Sequence, residues 1–210
     1  MKDEAKVLAR FRKDKNVQPT QDPRYHLVAK AGGAGANMGK ANRPVVVGAG
    51  PCGLFAGLIL AQMGFRPIIL DRGKLVRERT KDTWGLWRRG VLNPESNAQF
   101  GEGGAGTFSD GKLYSRIKDP ANRDRKVLTE FVKAGAPEEI LTEAHPHIGT
   151  FRLVKMVESM RKSIEELGGE YRFSTRVDDV DIVTDAQGNR RVRGVRLSNG
   201  EFLEADHVVL

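Results

Sequence analysis

The stretch Val45-Val46-Val47-Gly48-Ala49-Gly50-Pro51-Cys52-Gly53 decides the fold of this 210-residue chain. Three β-branched residues in a row predict a short strand that is buried on both faces of a parallel sheet. The GxGxxG spacing that follows is typical of the turn between a strand and a helix in a dinucleotide-binding unit. The sequence therefore predicts an α/β domain whose first turn holds a pyrophosphate group.

Each glycine of this motif has its own physical task. Gly48 allows the tight turn, Gly50 lets the backbone approach a pyrophosphate, and Gly53 lets the helix pack close to the strand. The helix begins at Pro51, and its free N–H groups and positive dipole end face the phosphates. Cys52 lies in this first turn, where we interpret it as a small residue in a crowded position rather than a reactive thiol.

The residues that follow the motif complete a βαβ unit. A helix is predicted over Pro51–Met63 and a second strand over Arg66–Leu70. Asp71 comes 23 residues after Gly48, near the spacing at which a carboxylate accepts hydrogen bonds from an adenosine ribose. A ribose 2′-phosphate would place a second anion beside the Asp71 carboxylate, so Asp71 disfavours NADP. The neighbouring Arg72 is a weak argument in favour of NADP.

A second glycine-rich stretch, Gly101–Gly111, has five glycines and two hydroxyl side chains in eleven residues. Such a backbone can approach a ligand closely and donate N–H groups to it. By composition alone, a flexible loop is the alternative interpretation.

The chain divides into an N-terminal segment, residues 1–43, and an α/β domain, residues 44–210. The first is predicted to hold a short charged helix over residues 3–15 and a glycine-rich linker. Within the α/β domain, residues 90–150 are predicted to be an insertion of loop and helix.

The C-terminal part switches from a helical period to a period of two. Phe151–Leu167 is predicted as an amphipathic helix, and Gly168 supplies its left-handed cap. Because the chain stops within an apolar strand, which should pair with Val45–Val47, we expect a domain that is truncated at its C-terminus and inactive as an enzyme on its own. The predicted strands are Tyr171–Thr175, Val177–Thr184, Arg190–Leu197, Gly200–Leu203 and Val208–Leu210.

The charge balance limits the partners without choosing among them. The chain has 35 basic and 27 acidic residues, a net charge of +8, which suits nucleic acid, a membrane surface or a phosphate-bearing cofactor. The single cysteine excludes an internal disulfide framework and a CxxC metal or redox motif. Since no secretory signal is visible, we expect a reducing, cytoplasmic location.

Two features could indicate other partners, and each has a plainer interpretation. The run Pro44–Phe65 is uncharged over 22 residues, long enough to cross a bilayer, but its glycines favour a buried strand, turn and helix. In the basic run Lys74–Arg89, we interpret Trp84 and Trp87 as the buried helix face and the arginines as the solvated face. We therefore expect no membrane, no nucleic acid and no metal as partners.

These motifs resemble a known family. Val45–Gly73 resembles the FAD-binding half of two-dinucleotide-fold flavoproteins. There a GxGxxG turn, an acidic residue after the second strand, a three-stranded β-meander and an apolar strand follow in this order. The resemblance covers roughly residues 43–210, and Gly101–Gly111 is its most specific mark. Three segments are similar to those of the poorly characterised bacterial FAD-dependent dehydrogenases: Pro51–Gly57, Arg79–Trp84 and Gln99–Leu113.

The resemblance implies a Rossmann-like FAD-binding domain of an FAD-dependent oxidoreductase of unknown substrate, with NADH or NADPH as a candidate electron donor. It places Gly103–Thr107 against the ribityl or isoalloxazine end of FAD and the backbone of Val177 at the adenine. No catalytic acid or base and no oligomeric state follow from it. The predicted cofactor-binding residues are Gly48, Gly50, Pro51, Cys52, Gly53, Asp71, Arg72, Gly103, Gly104, Ala105, Gly106, Thr107 and Val177.

Two alternatives stay open at this point. One is a dehydrogenase domain that binds only NAD(P), which would not need a β-meander followed by the strand Val208–Leu210. The other is a non-catalytic, truncated dinucleotide-binding module. An absorbance spectrum of the purified protein separates a flavoprotein from the nicotinamide-only alternative.

Overall fold

A computed structural model describes residues 3–19, 24–32, 43–114 and 117–210. The predicted linker glycines Gly33, Gly35 and Gly39 lie outside these ranges. The α-helices are α1 (Glu4–Arg10), α2 (Pro51–Gln62), α3 (Val76–Arg89), α4 (Arg123–Lys133) and α5 (Thr150–Glu166). The strands are β1 (Val45–Val47), β2 (Ile68–Leu70), β3 (Glu170–Arg172), β4 (Val177–Thr184), β5 (Arg190–Leu197), β6 (Phe202–Glu204) and β7 (Val208–Val209). Short 3₁₀ turns cover Ala105–Phe108 and Glu138–Leu141.

Four short parallel strands form the central sheet, in the order β3-β2-β1-β7. Val45 pairs with Ile68 on one side and with Val208 on the other. The expected pairing of the last apolar strand with β1 is therefore confirmed. β2 begins later than predicted because Arg66 has a left-handed backbone, with a φ of 50°, and Pro67 has no N–H for the ladder.

A three-stranded antiparallel meander, β4-β5-β6, covers one face of the parallel sheet. Five residues of the two sheets and Ala205, directly after β6, form the buried core between them: Val45, Ile68, Leu70, Val195, Leu197 and Ala205. The predicted α/β fold, a parallel sheet with a β-meander, is confirmed.

The helices α2 and α5 cover the opposite face of the parallel sheet. Leu54 and Leu58 of α2 pack there with Met160 and Ile164 of α5 in the larger hydrophobic core. The segment predicted as an insertion contributes to the same core through Ile140, Ile148 and the inner side chains of α4. After α5, Gly168 adopts a φ of 88°, which confirms the predicted left-handed cap.

Helix α3 confirms part of the prediction, since Arg77, Arg88 and Arg89 are exposed, but its two tryptophans and Arg79 lie on the opposite sides from those we predicted. Trp84 and Trp87 are 45% and 54% exposed, whereas the side chain of Arg79 is fully buried. Trp87 packs edge-to-face against Phe108, and Arg88 lies over the ring of Trp84. The prediction was wrong because α3 lies on an irregular loop, residues 97–104, whose backbone carbonyls require a buried donor.

The uncharged run Pro44–Phe65 forms β1, the glycine turn and α2. Helix α2 has 12 residues, about 18 Å at 1.5 Å per residue. Within the described ranges, every helix is too short or too polar to cross a bilayer.

Candidate dinucleotide-binding site

A cleft of about 570 Å³ opens at the carboxyl ends of β1 and β2. This is the edge at which parallel α/β sheets bind ligands. Six predicted residues line the cleft: Gly48, Gly50, Asp71, Arg72, Gly104 and Val177. Further lining residues were not among the predicted cofactor-binding ones, although Gly101 opens the predicted glycine-rich stretch: Gln99, Phe100, Gly101, Thr175, Arg176 and Asp178.

The first turn of the motif is built as its glycines predict. Gly48 has a φ of 100°, which few side chains adopt, and its N–H donates to the carbonyl of Leu70 at 2.6 Å. A Cβ on Gly53 would overlap the carbonyl oxygen of Gly48 and lie 2.9 Å from its carbonyl carbon. Helix α2 therefore approaches β1 more closely than any other residue at position 53 permits.

Gly50 differs from its neighbours because the fold does not require it. Its φ of −72° and ψ of −176° are open to any residue. A Cβ there would meet only the Cα of Gly104, at an ordinary 3.9 Å. The absence of a side chain thus leaves the backbone bare on the wall of the cleft, directly before the N-terminus of α2, whose first turn has no acidic residue.

Asp71 is buried, with 6% of its surface exposed, and it joins two turns of the backbone. Its Oδ2 accepts a hydrogen bond from the N–H of Ala49, and its Oδ1 accepts one from Gly73, both at 2.7 Å. Each carboxylate oxygen has a second lone pair, and Asp71 lines the cleft. The carboxylate can therefore stabilise the glycine turn and accept from a ligand hydroxyl at the same time.

Arg72 is held on the wall of the cleft by neighbours that the sequence did not suggest. It donates to Glu95 at 2.7 Å, and Arg176 donates to the other oxygen of that carboxylate at 2.8 Å. The hydrogen bond from Arg72 holds the pKa of Glu95 below its usual value, and Arg176 adds to the effect. The Arg72 guanidinium also lies 4.3 Å from the centre of the Phe100 ring.

The second glycine-rich stretch has two sides. Gly104 faces the cleft, whereas Gly103, Gly106 and Thr107 line a separate cavity of about 200 Å³. Ala105 is exposed and is absent from the lining of both cavities. The structure therefore does not bring all five predicted residues of this stretch to one surface.

The remaining predicted residues surround the start of α2. Cys52 is exposed. Together with Pro51 and Gly53, it lines a smaller cavity of about 220 Å³ that extends to Val209 and Leu210. This cavity shares Gly48 and Gly50 with the main cleft.

Arg79 is the most important residue that the sequence analysis missed. Its guanidinium donates to five backbone carbonyls, those of Asn97, Ala98, Gly101, Glu102 and Gly104, at 2.6–3.4 Å. Burial lowers its pKa to about 10, while Asp71 and Glu102 act to raise it, so the side chain stays charged at neutral pH. Arg79 thus holds in place the loop that forms one wall of the cleft.

Glu102 fixes the same loop from its other side. The residue is fully buried. Its Oε2 accepts from the N–H of Val76 at 2.8 Å, which satisfies a free donor at the start of α3, and its Oε1 accepts from Arg161 at 2.7 Å. The sequence did not predict this role of Glu102, because a single Glu in a loop has no distinguishing pattern.

The FAD binding domain family model matches residues 43–209. An uncharacterised protein of Clostridium beijerinckii is 51% identical over 138 residues, which is 66% of this chain. The match spans only 26% of the length of that curated relative.

Two solved structures are similar to the chain at low identity. THI4 of Thermovibrio ammonificans is 18% identical, with a TM-score of 0.50, and the match covers 80% of this chain and 56% of that one. A 3-ketosteroid-Δ4-(5α)-dehydrogenase of Rhodococcus jostii is 16% identical, with a TM-score of 0.48 and coverage of 80% and 45%. At such identity, the likeness to THI4 concerns the fold alone.

Proposed function

The chain belongs to the FAD binding domain family, and on that premise we propose that it is the FAD-binding part of a flavin-dependent oxidoreductase. The observation that carries this proposal is the cleft at the carboxyl ends of β1 and β2. A backbone without a side chain at Gly50 and a buried acceptor at Asp71 line this one cleft. When bound, FAD supplies the redox chemistry, and the protein positions it and tunes its electronics.

The groups that line the cleft suit the separate parts of the dinucleotide. The N-terminus of α2 would hold the pyrophosphate with its free N–H groups and its positive dipole end. Asp71 would accept from the adenosine ribose, and the backbone of Val177, at the start of β4, would hold the adenine. Arg72 and Arg176 give this end of the cleft two cations, although Glu95 already pairs with both.

The test of cofactor identity is direct. We expect the purified full chain to be yellow, to show flavin absorbance bands, and to release FAD on denaturation. A colourless protein that fails to bind added FAD but binds NAD would instead support the nicotinamide-only alternative.

Replacing Asp71 by Asn should weaken FAD binding by about 10- to 100-fold, or about 1.4–2.8 kcal/mol. The amide keeps one acceptor, but its NH₂ group meets either the Ala49 or the Gly73 N–H and cannot accept from it. FAD titration gives the affinity, and thermal unfolding without ligand separates lost binding from lost stability.

The matched control is Asp178→Asn, the same change on an exposed carboxylate of the cleft that pairs with Arg176. We expect its FAD affinity to change by less than about threefold, because exposed ion pairs contribute little. Equal FAD affinities in Asp71→Asn and the unmodified protein would make Asp71 a turn residue with no role in binding.

A further inference from the structure

The 200 Å³ cavity behind the glycine-rich loop lies outside the dinucleotide cleft. Residues of α2, α4 and α5 line it together with residues 103–113 and Ile148, and it shares no lining residue with the cleft among the residues that the structure describes. Its walls are mainly apolar, and the apolar side chains that line it include Leu54, Phe55, Phe131, Leu153, Met156 and Val157.

One polar group in this cavity has no partner. Thr107 is 2% exposed, and its Oγ1 is buried without a hydrogen-bond partner among the described residues. The hydroxyl lies over Gly103, where a Cβ would overlap it, so that glycine makes room for it. A buried hydroxyl without a partner destabilises the protein, and a ligand with one hydrogen-bonding group would remove this cost.

Charge and size narrow the class of ligand. The cation on the lining, Lys112, is largely exposed and pairs with Asp110 at 3.3 Å, so an anionic ligand would find no unpaired buried charge. An apolar cavity of about 150 Å³ is large enough to bind benzene. This cavity is somewhat larger, which suits a single ring with one small substituent.

We propose that this cavity binds a compact, neutral aromatic molecule whose single hydroxyl or carbonyl group pairs with Thr107. The cavity is next to the dinucleotide cleft, because Gly103 lines the cavity while the adjacent Gly104 lines the cleft. Gly103 also donates to the carbonyl of Ala49 at 2.8 Å, which ties this wall to the dinucleotide motif. The proposal does not depend on which dinucleotide occupies the cleft.

The experiment compares phenol with toluene, which has the same shape but no hydrogen-bonding group. Binding of each to the full chain is measured by calorimetry, with and without saturating FAD. We expect saturable 1:1 binding of phenol, about fivefold tighter than toluene. In Thr107→Val we expect phenol to lose this advantage while toluene binding is unchanged.

A second variant, Val157→Phe, fills the cavity and should abolish binding of both probes, with thermal unfolding as the check that it folds. Three results would overturn the proposal: no saturable binding of either probe, displacement of phenol by FAD, or an unchanged preference for phenol in Thr107→Val. Failure of FAD to bind, with phenol still bound, would count against the proposed function and leave this site standing.

Discussion

Arg79→Met will lower the free energy of unfolding by about 3–5 kcal/mol, which is the range observed when a buried hydrogen-bond network is broken. The methionine matches the arginine stem in length but donates no hydrogen bonds. Five carbonyls of residues 97–104 lose their shared donor, and relaxation of the loop and entering water recover only part of the cost. Urea unfolding with the linear extrapolation gives the free energy.

Two further variants define the cause. Arg89→Met makes the same change in the exposed last turn of the same helix, where we expect a loss of less than about 1 kcal/mol. Arg79→Lys keeps the charge but replaces the planar fork with a point charge, so its stability should fall between the other two. If Arg79→Met and Arg89→Met unfold at the same urea concentration, the loop does not depend on this guanidinium.

Gly53→Ala will lose stability, whereas Gly50→Val will lose FAD binding. The Cβ at position 53 overlaps the carbonyl oxygen of Gly48, so α2 must move away from β1. We expect a loss of about 3 kcal/mol or more in unfolding free energy. A Cβ at position 50 has room in the protein itself, so we expect stability to change by about 1 kcal/mol or less, the size of an N-cap effect.

FAD affinity then separates the two positions. Gly50→Val should abolish detectable FAD binding in a folded protein, because its side chain occupies the place of the pyrophosphate. Circular dichroism and thermal unfolding establish the fold, and FAD titration gives the affinity. Wild-type affinity in Gly50→Val would place the phosphates elsewhere, and a normal unfolding temperature in Gly53→Ala would contradict the close contact of α2 with β1.

Much of the fold was predictable because its signals are local. The apolar run at Val45–Val47, the period-two pattern after residue 176 and the glycines of the first turn each report a backbone conformation or a burial pattern within a few residues. Gly48 and Gly53 show this most clearly, since the first needs a positive φ and the second needs space at its own Cα. The pairing of Val208 with Val45 also follows, because apolar strands join a buried parallel sheet.

The tertiary structure alone decided how the polar groups of the candidate site are paired. Arg79 reaches carbonyls that are 18–25 positions away in the chain, and Asp71 accepts from Ala49 as well as from its near neighbour Gly73. The sequence also did not predict that the glycine-rich loop has two sides, with Gly104 in the cleft and Thr107 in the apolar cavity. Irregular loops have no sequence period, and their free backbone carbonyls need hydrogen-bond donors. The packing of distant segments decides which side chain donates to them. The sequence pattern of a single helix or loop therefore does not contain this information.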